Sequence, residues 1–229
     1  MIIAIIAKTL RDHWKSTLVW GFGLVAMTGL ELYIYPSVVK SSTAMQSYID
    51  AFPEAMKTIF RMQDYFSGAG FLGTELYSLM IPLIFVSVAA SRGSSAIAGE
   101  EESGTADILY TMPISRTKIL LSKIAAMILE ILFFVIITIL TVVVGAGTVD
   151  MEISTKAVII ATAAAGFMAL IFGAMALFAG SFTGKKGAAT GLAVTIATAA
   201  LLFGLKPPYP TVLALFKLHT TLTMTSMKK

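Results

Sequence analysis

The sequence has no cysteine, two histidines and few charges: 13% of its 229 residues are Asp, Glu, Lys or Arg. The missing cysteine excludes a disulfide scaffold, thiolate metal sites and a cysteine nucleophile. His13 and His219 stand far apart, without metal-ligand spacing, so no metal site is expected. The low charge excludes an ordinary soluble domain, in which about 25% of residues are charged and about 45–50% apolar. Here 57% are hydrophobic. The net charge of +4 is small and scattered, which argues against nucleic-acid binding. What remains is an integral membrane protein.

Long apolar runs are what the sequence does have. A helical span takes about 20 apolar residues, and five runs qualify: about 17–35, 76–98, 124–147, 157–182 and 188–205. Trp20 and Tyr33 with Tyr35 mark the two ends of the first as interfacial belts, and Pro36 is expected to end it. Ala and Gly dominate the last two runs, and small side chains let helices approach closely. Barrel strands alternate with a period of two over about 10 residues; these runs are continuous. The expected fold is an all-α polytopic membrane helical bundle. Residues 1–205 form its transmembrane domain, and 206–229 an atypical C-terminal tail.

Lys and Arg set the orientation. With the N-terminus inside, the inner segments hold Lys8, Arg11 and Lys15, then Arg92, Arg116, Lys118 and Lys123, then Lys185 and Lys186. The outer loops hold only Lys40, Lys57, Arg61 and Lys156. Five spans then put the tail outside, against the preference of its Lys206, Lys217, Lys228 and Lys229. Residues 1–14 have helical apolar spacing (Ile2, Ile3, Ile5, Ile6, Leu10, Trp14) broken by Lys8, Arg11 and Asp12. Their charges follow the apolar start, unlike a cleaved signal peptide. They are expected to form an interfacial helix at the inner surface; the alternative is a ragged start to the first span.

The inner loop 91–123 carries the most information. Glu100, Glu101 and Glu102 are followed by Ser103-Gly104 and a short apolar helix with Ala106, Ile108, Leu109 and Met112, which Pro113 stops. A short apolar helix between two spans suits docking into a groove of a soluble partner; composition alone equally fits a solvated connection. Acids near a helix N-terminus are favourable for that helix itself. Glu31 and Glu130 lie inside apolar runs, and an ionisable group there is a candidate intramembrane polar site. Glu130 suits pairing with a basic residue of another helix or lining a cavity, and Glu31 lies close enough to the outer end to reach the interface. Arg92 and Arg116 read as interfacial anchors. The thirteen Met residues are scattered gap fillers. No phosphate-cradling G-x-x-x-x-G-K-[ST] occurs, and Gly180–Lys185 has the wrong spacing for one. No catalytic constellation is present.

The stretch Ala98–Lys123, AGEEESGTADILYTMPISRTKILLSK, resembles the signature loop of ABC-type export permeases of the second class. Glu100, Glu101, Gly104, Thr105, Leu109, Pro113, Arg116 and Lys123 match its paired acid, Gly-Thr, apolar helix, Pro, Arg and Lys. The first span ending at Tyr35-Pro36 and the outer Phe52-Pro53-Glu54 agree, and the resemblance covers about residues 1–205. It implies a permease without chemistry of its own, pairing as a homodimer or with a related permease in the inner membrane. An ATP-binding subunit would dock on the loop, with residues 103–112 as coupling helix and ATP-Mg bound only on that partner. The family pattern has six spans; a sixth is not legible here. Three other readings compete, of which an intramembrane hydrolase would need His, Ser and Asp at matching depth within the spans, and no such set is there. An ion-driven secondary transporter needs repeated halves with broken helices and intramembrane acids. A non-transporting membrane anchor or sensor needs only the partner-docking loop.

Overall fold

The computed structural model describes residues 2–42, 48, 50–54, 56, 65–105, 111 and 114–202. Among these the chain is helical and has no strand. Among the described residues six helices follow one another: α1 (Ile2–Lys40), α2 (Gly68–Ser95), α3 (Ala98–Glu102), α4 (Arg116–Thr148), α5 (Thr155–Thr183) and α6 (Lys186–Leu202). Helices α1, α2, α4 and α5 are each long and apolar enough to cross a membrane. Helix α6 is apolar and has 17 residues within the described part. The expected spans at 17–35, 124–147 and 157–182 lie inside longer helices, while 76–98 overruns the end of α2 and 188–205 starts within α6. The tail 206–229 lies outside the described residues. The fold is an all-α polytopic bundle.

Two expectations for α1 are corrected. The N-terminal segment is not a separate interfacial helix, because residues 2–16 are the first turns of α1 itself. No Gly or Pro interrupts Ile2–Trp20, and Lys8 bonds Asp12 at 2.7 Å across one turn, a pairing that supports a continuing helix. Nor does Pro36 end the helix, which runs on to Lys40. Proline deprives one carbonyl of its N–H partner, but helices with membrane-type packing tolerate that loss.

Helix α2 widens between Gly73 and Met80 into π turns, where Ile81 N–H reaches the carbonyl of Leu76, five residues back. Pro82 follows directly. Its ring clashes with the carbonyl four residues earlier in a regular α-helix, and a wider turn relieves the clash.

The chain forms two compact units. The first joins Met1–Gly23, Leu83–Val135 and Gly166–Ala199, and the second Leu24–Pro82, Ile136–Ala165 and Ala200–Lys229. In the second unit, α1 buries Leu24, Thr28 and Leu32, one residue per turn. Tyr35 and Tyr65 pack on Phe71 at 5.3 and 5.6 Å, and Tyr77 bonds Thr162 at 2.7 Å. In the first unit, Ala90, Ala176 and Ala193 bring α2, α5 and α6 together. Gly93 lies against α5 so closely that a β-carbon there would run into the carbonyl of Gly173. Large apolar side chains such as Phe22, Tyr33, Phe167 and Phe182 remain exposed, each by more than half. In a bilayer that surface needs no cover, because lipid is as apolar as the side chains.

Candidate functional site

Two polar clusters stand out in the first unit. One is built around Glu130 on α4. Arg92, near the end of α2, engages both of its carboxylate oxygens: Nε donates to Oε2 at 2.8 Å and Nη2 to Oε1 at 2.7 Å. Both side chains are under one-tenth exposed. This is the forked geometry that makes Arg–carboxylate pairs strong. Helix α1 completes the cluster. Thr17 Oγ1 donates to Glu130 Oε1, and Ser16 Oγ and His13 Nδ1 each lie 3.4 Å from the guanidinium. Three helices thus meet on one buried pair. Removing either partner would leave a bare charge in an apolar medium.

Glu130 was legible in the sequence as an ionisable residue in an apolar run. Its partner was missed: Arg92 read as an interfacial anchor, yet its side chain is buried. The Gly93-Ser94-Ser95 steps after it are small, which lets neighbouring helices close around the guanidinium. Glu31 belongs to the second unit and is partly exposed on α1. In that second unit Tyr65 Oη donates to Glu75 at 2.6 Å, a pair the sequence reading did not single out.

The second cluster opens the loop 91–123. Ala96-Ile97 break the helix after Ser95, and the short α3 holds Glu100, Glu101 and Glu102. Lys123 Nζ on α4 donates to Glu100 Oε1 at 2.5 Å, and Thr105 Oγ1 donates to Oε2 at 2.5 Å. The backbone N–H of Thr105 also bonds the Glu100 carbonyl at 3.0 Å. Burial pushes the Glu100 carboxyl up. The hydrogen bonds from Lys123 and Thr105 and the charges of Lys123 and Lys8 outweigh it, holding the group below the usual carboxylate value. Gly104 has φ +68°, a left-handed conformation that costs glycine nothing and other residues strain. Glu102 Oε1 accepts the backbone N–H of Lys186, the first residue of α6, at 2.8 Å. Arg116 is the first residue of α4 and is exposed. Leu109 and Pro113, with most of the expected coupling helix, lie outside the described residues.

The structure therefore joins Glu100, Thr105 and Lys123 of the predicted loop residues. Among the described residues no group of His, Asp and Glu is arranged to hold a metal ion. A helical bundle with four helices long enough to cross a membrane, a buried polar pair and an acidic turn between the second and third of them defines an integral membrane protein. Comparison with known families makes this specific: the family described as ABC-2 family transporter protein matches residues 3–221. The chain belongs to that family and is a permease subunit of an ABC transporter, a membrane component of transport. No curated protein and no solved structure matches it.

Proposed function

We propose that the chain is the permease of an ATP-driven exporter. It lines the substrate path together with a second copy or a related permease. An ATP-binding subunit docks on the loop 91–123 and supplies all of the energy, with ATP-Mg bound on that subunit. The N-terminus and the loop face the cytoplasm of a cell whose inner membrane the chain crosses five times.

The observation that carries this reading is the way the loop is held. Glu100 ties Thr105 by backbone and side chain and is itself tied to Lys123. A segment that leaves Thr105 therefore starts from a fixed point on α4, as a docking element must if force is to pass through it. Glu101, Leu109, Pro113 and Arg116 complete the docking region in this reading. The test is to solubilise the membrane complex through a tag on this chain and identify what comes with it. An ATPase carrying the phosphate-cradling motif is expected, and Leu109→Asp is expected to abolish its recovery. Purification without any such ATPase overturns the reading.

A further inference from the structure

The carboxylates of α3 reach two different long helices within the same compact unit. Glu100 holds α4 two turns from its start, through Lys123. Glu102 holds the start of α6 by accepting the Lys186 N–H, although the two residues are 84 positions apart. The first N–H groups of a helix have no partner within it, and a carboxylate there is also favoured by the helix dipole. Helix α6 needs an outside acceptor because its approach is so short. Gly184, at φ +60°, closes α5, and only Lys185 separates it from Lys186. The Lys185 N–H is taken by Thr183 Oγ1 at 3.3 Å, which leaves the next N–H to Glu102. Helix α3 spans five residues, so Glu100 and Glu102 sit on one short rigid turn.

We propose that α3 is the joint that transmits displacement of the inner loop to α4 and α6 at once. Glu100 and Glu102 are its positioning residues. This rests on the reading that an ATP-binding subunit docks on the loop. Displacement enters at Thr105, passes through the Glu100 carboxylate to Lys123, and passes through Glu102 to the first turn of α6. In this reading the two acids act within the chain, through both Glu100 carboxylate oxygens and Glu102 Oε1.

The test uses the full permease with its co-purified ATPase in lipid nanodiscs. Because the chain has no cysteine, Leu192→Cys on an exposed position of α6 takes a single environment-sensitive fluorophore. ATP with vanadate is expected to change its emission in the parent complex. Glu102→Ala and Glu100→Lys are expected to abolish that change while the ATPase still co-purifies and hydrolyses ATP at the basal rate. Glu102→Gln, which keeps an acceptor oxygen, is expected to retain it. Adding Lys123→Glu to Glu100→Lys is expected to restore it, which a variant that merely misfolds would not allow. An unchanged response in both Glu102→Ala and Glu100→Lys overturns the joint. So does loss of the ATPase from these variants, which would make the acids partner contacts. Absence of an ATPase from the parent complex is a separate result, and it overturns the docking reading itself.

Discussion

A guanidinium and a carboxylate separated inside an apolar bundle have no water to replace each other. That makes Arg92 and Glu130 unequal to most surface pairs, which contribute about 0–1 kcal/mol. Losing one partner of a buried pair costs about 3–5 kcal/mol, whereas replacing both with apolar residues of similar volume is often neutral. Arg92→Met and Glu130→Met are each expected to lower the melting temperature in detergent markedly, and the double variant to recover most of the loss. A double variant whose loss is the sum of the two single losses would show that the pair does not hold the helices. Glu130→Gln keeps the shape and a weaker bond to Arg92, and is expected to impair expression or transport; no change in either would remove Glu130 from the working parts. Glu100 makes a pH-dependent contribution. Its carboxyl lies below the ordinary value of 4.5, so the stabilisation is fully present above that value. It is lost as pH falls through the depressed value. The difference in melting temperature between the parent and Glu100→Gln is thus expected to be constant from neutral pH down to mildly acidic pH and to shrink below it. A difference that persists in strong acid would mean that charge is not what Glu100 contributes. Of these residues the acids were legible, because an acid in an apolar run or a triple acid stands out by composition. Arg92 and Lys123 were legible only as basic residues near helix ends, since pairing across 38 or 23 positions leaves no local pattern.

At the scale of elements, hydropathy located the apolar helices but not their ends. The expected end at Pro36 and the expected separate N-terminal helix both failed because no Gly or Pro interrupts Ile2–Trp20 and a membrane-type helix tolerates the N–H that Pro36 lacks. The Glu102 bond to α6 depends on a partner 84 residues away, which no single window contains. Close packing was legible in kind, as Gly- and Ala-rich runs, though not in its positions. Gly93 is such a position. A β-carbon there meets the Gly173 carbonyl and comes within 3.1 Å of the Leu177 backbone nitrogen, so it presses on backbone that cannot rotate away. Overpacking of this kind typically costs about 1–3 kcal/mol. Gly93→Ala is expected to lower yield and melting temperature. Gly23→Ala, with open space around its position, is expected to leave both unchanged or slightly raised, as a helix interior prefers Ala. If the two variants melt alike, α2 and α5 are not in backbone contact.

For the whole molecule the open quantity is the number of crossings, and α6 decides it. Its 17 described residues extend about 26 Å at 1.5 Å per residue. That falls a few ångströms short of a hydrocarbon core of about 30 Å. In the sequence the apolar run continues to Leu205. Beyond it only Thr211–Phe216 is apolar, too short to cross again. In the proposed reading of five crossings with the N-terminus inside, the tail lies outside, while its four lysines favour the inside. Hydrophobic length is set against charge, and the length term is expected to win, because the six apolar residues Thr211–Phe216 cannot return the tail across a hydrocarbon core. Single cysteines at Asp150, Lys185 and Ser226 can be probed in intact cells with a membrane-impermeant maleimide. Asp150→Cys and Ser226→Cys are expected to react at once, and Lys185→Cys only after permeabilisation. Reaction of Asp150→Cys with protection of Ser226→Cys would mean an even number of crossings. In that case the lysines of the tail, rather than the length of α6, set how the chain ends.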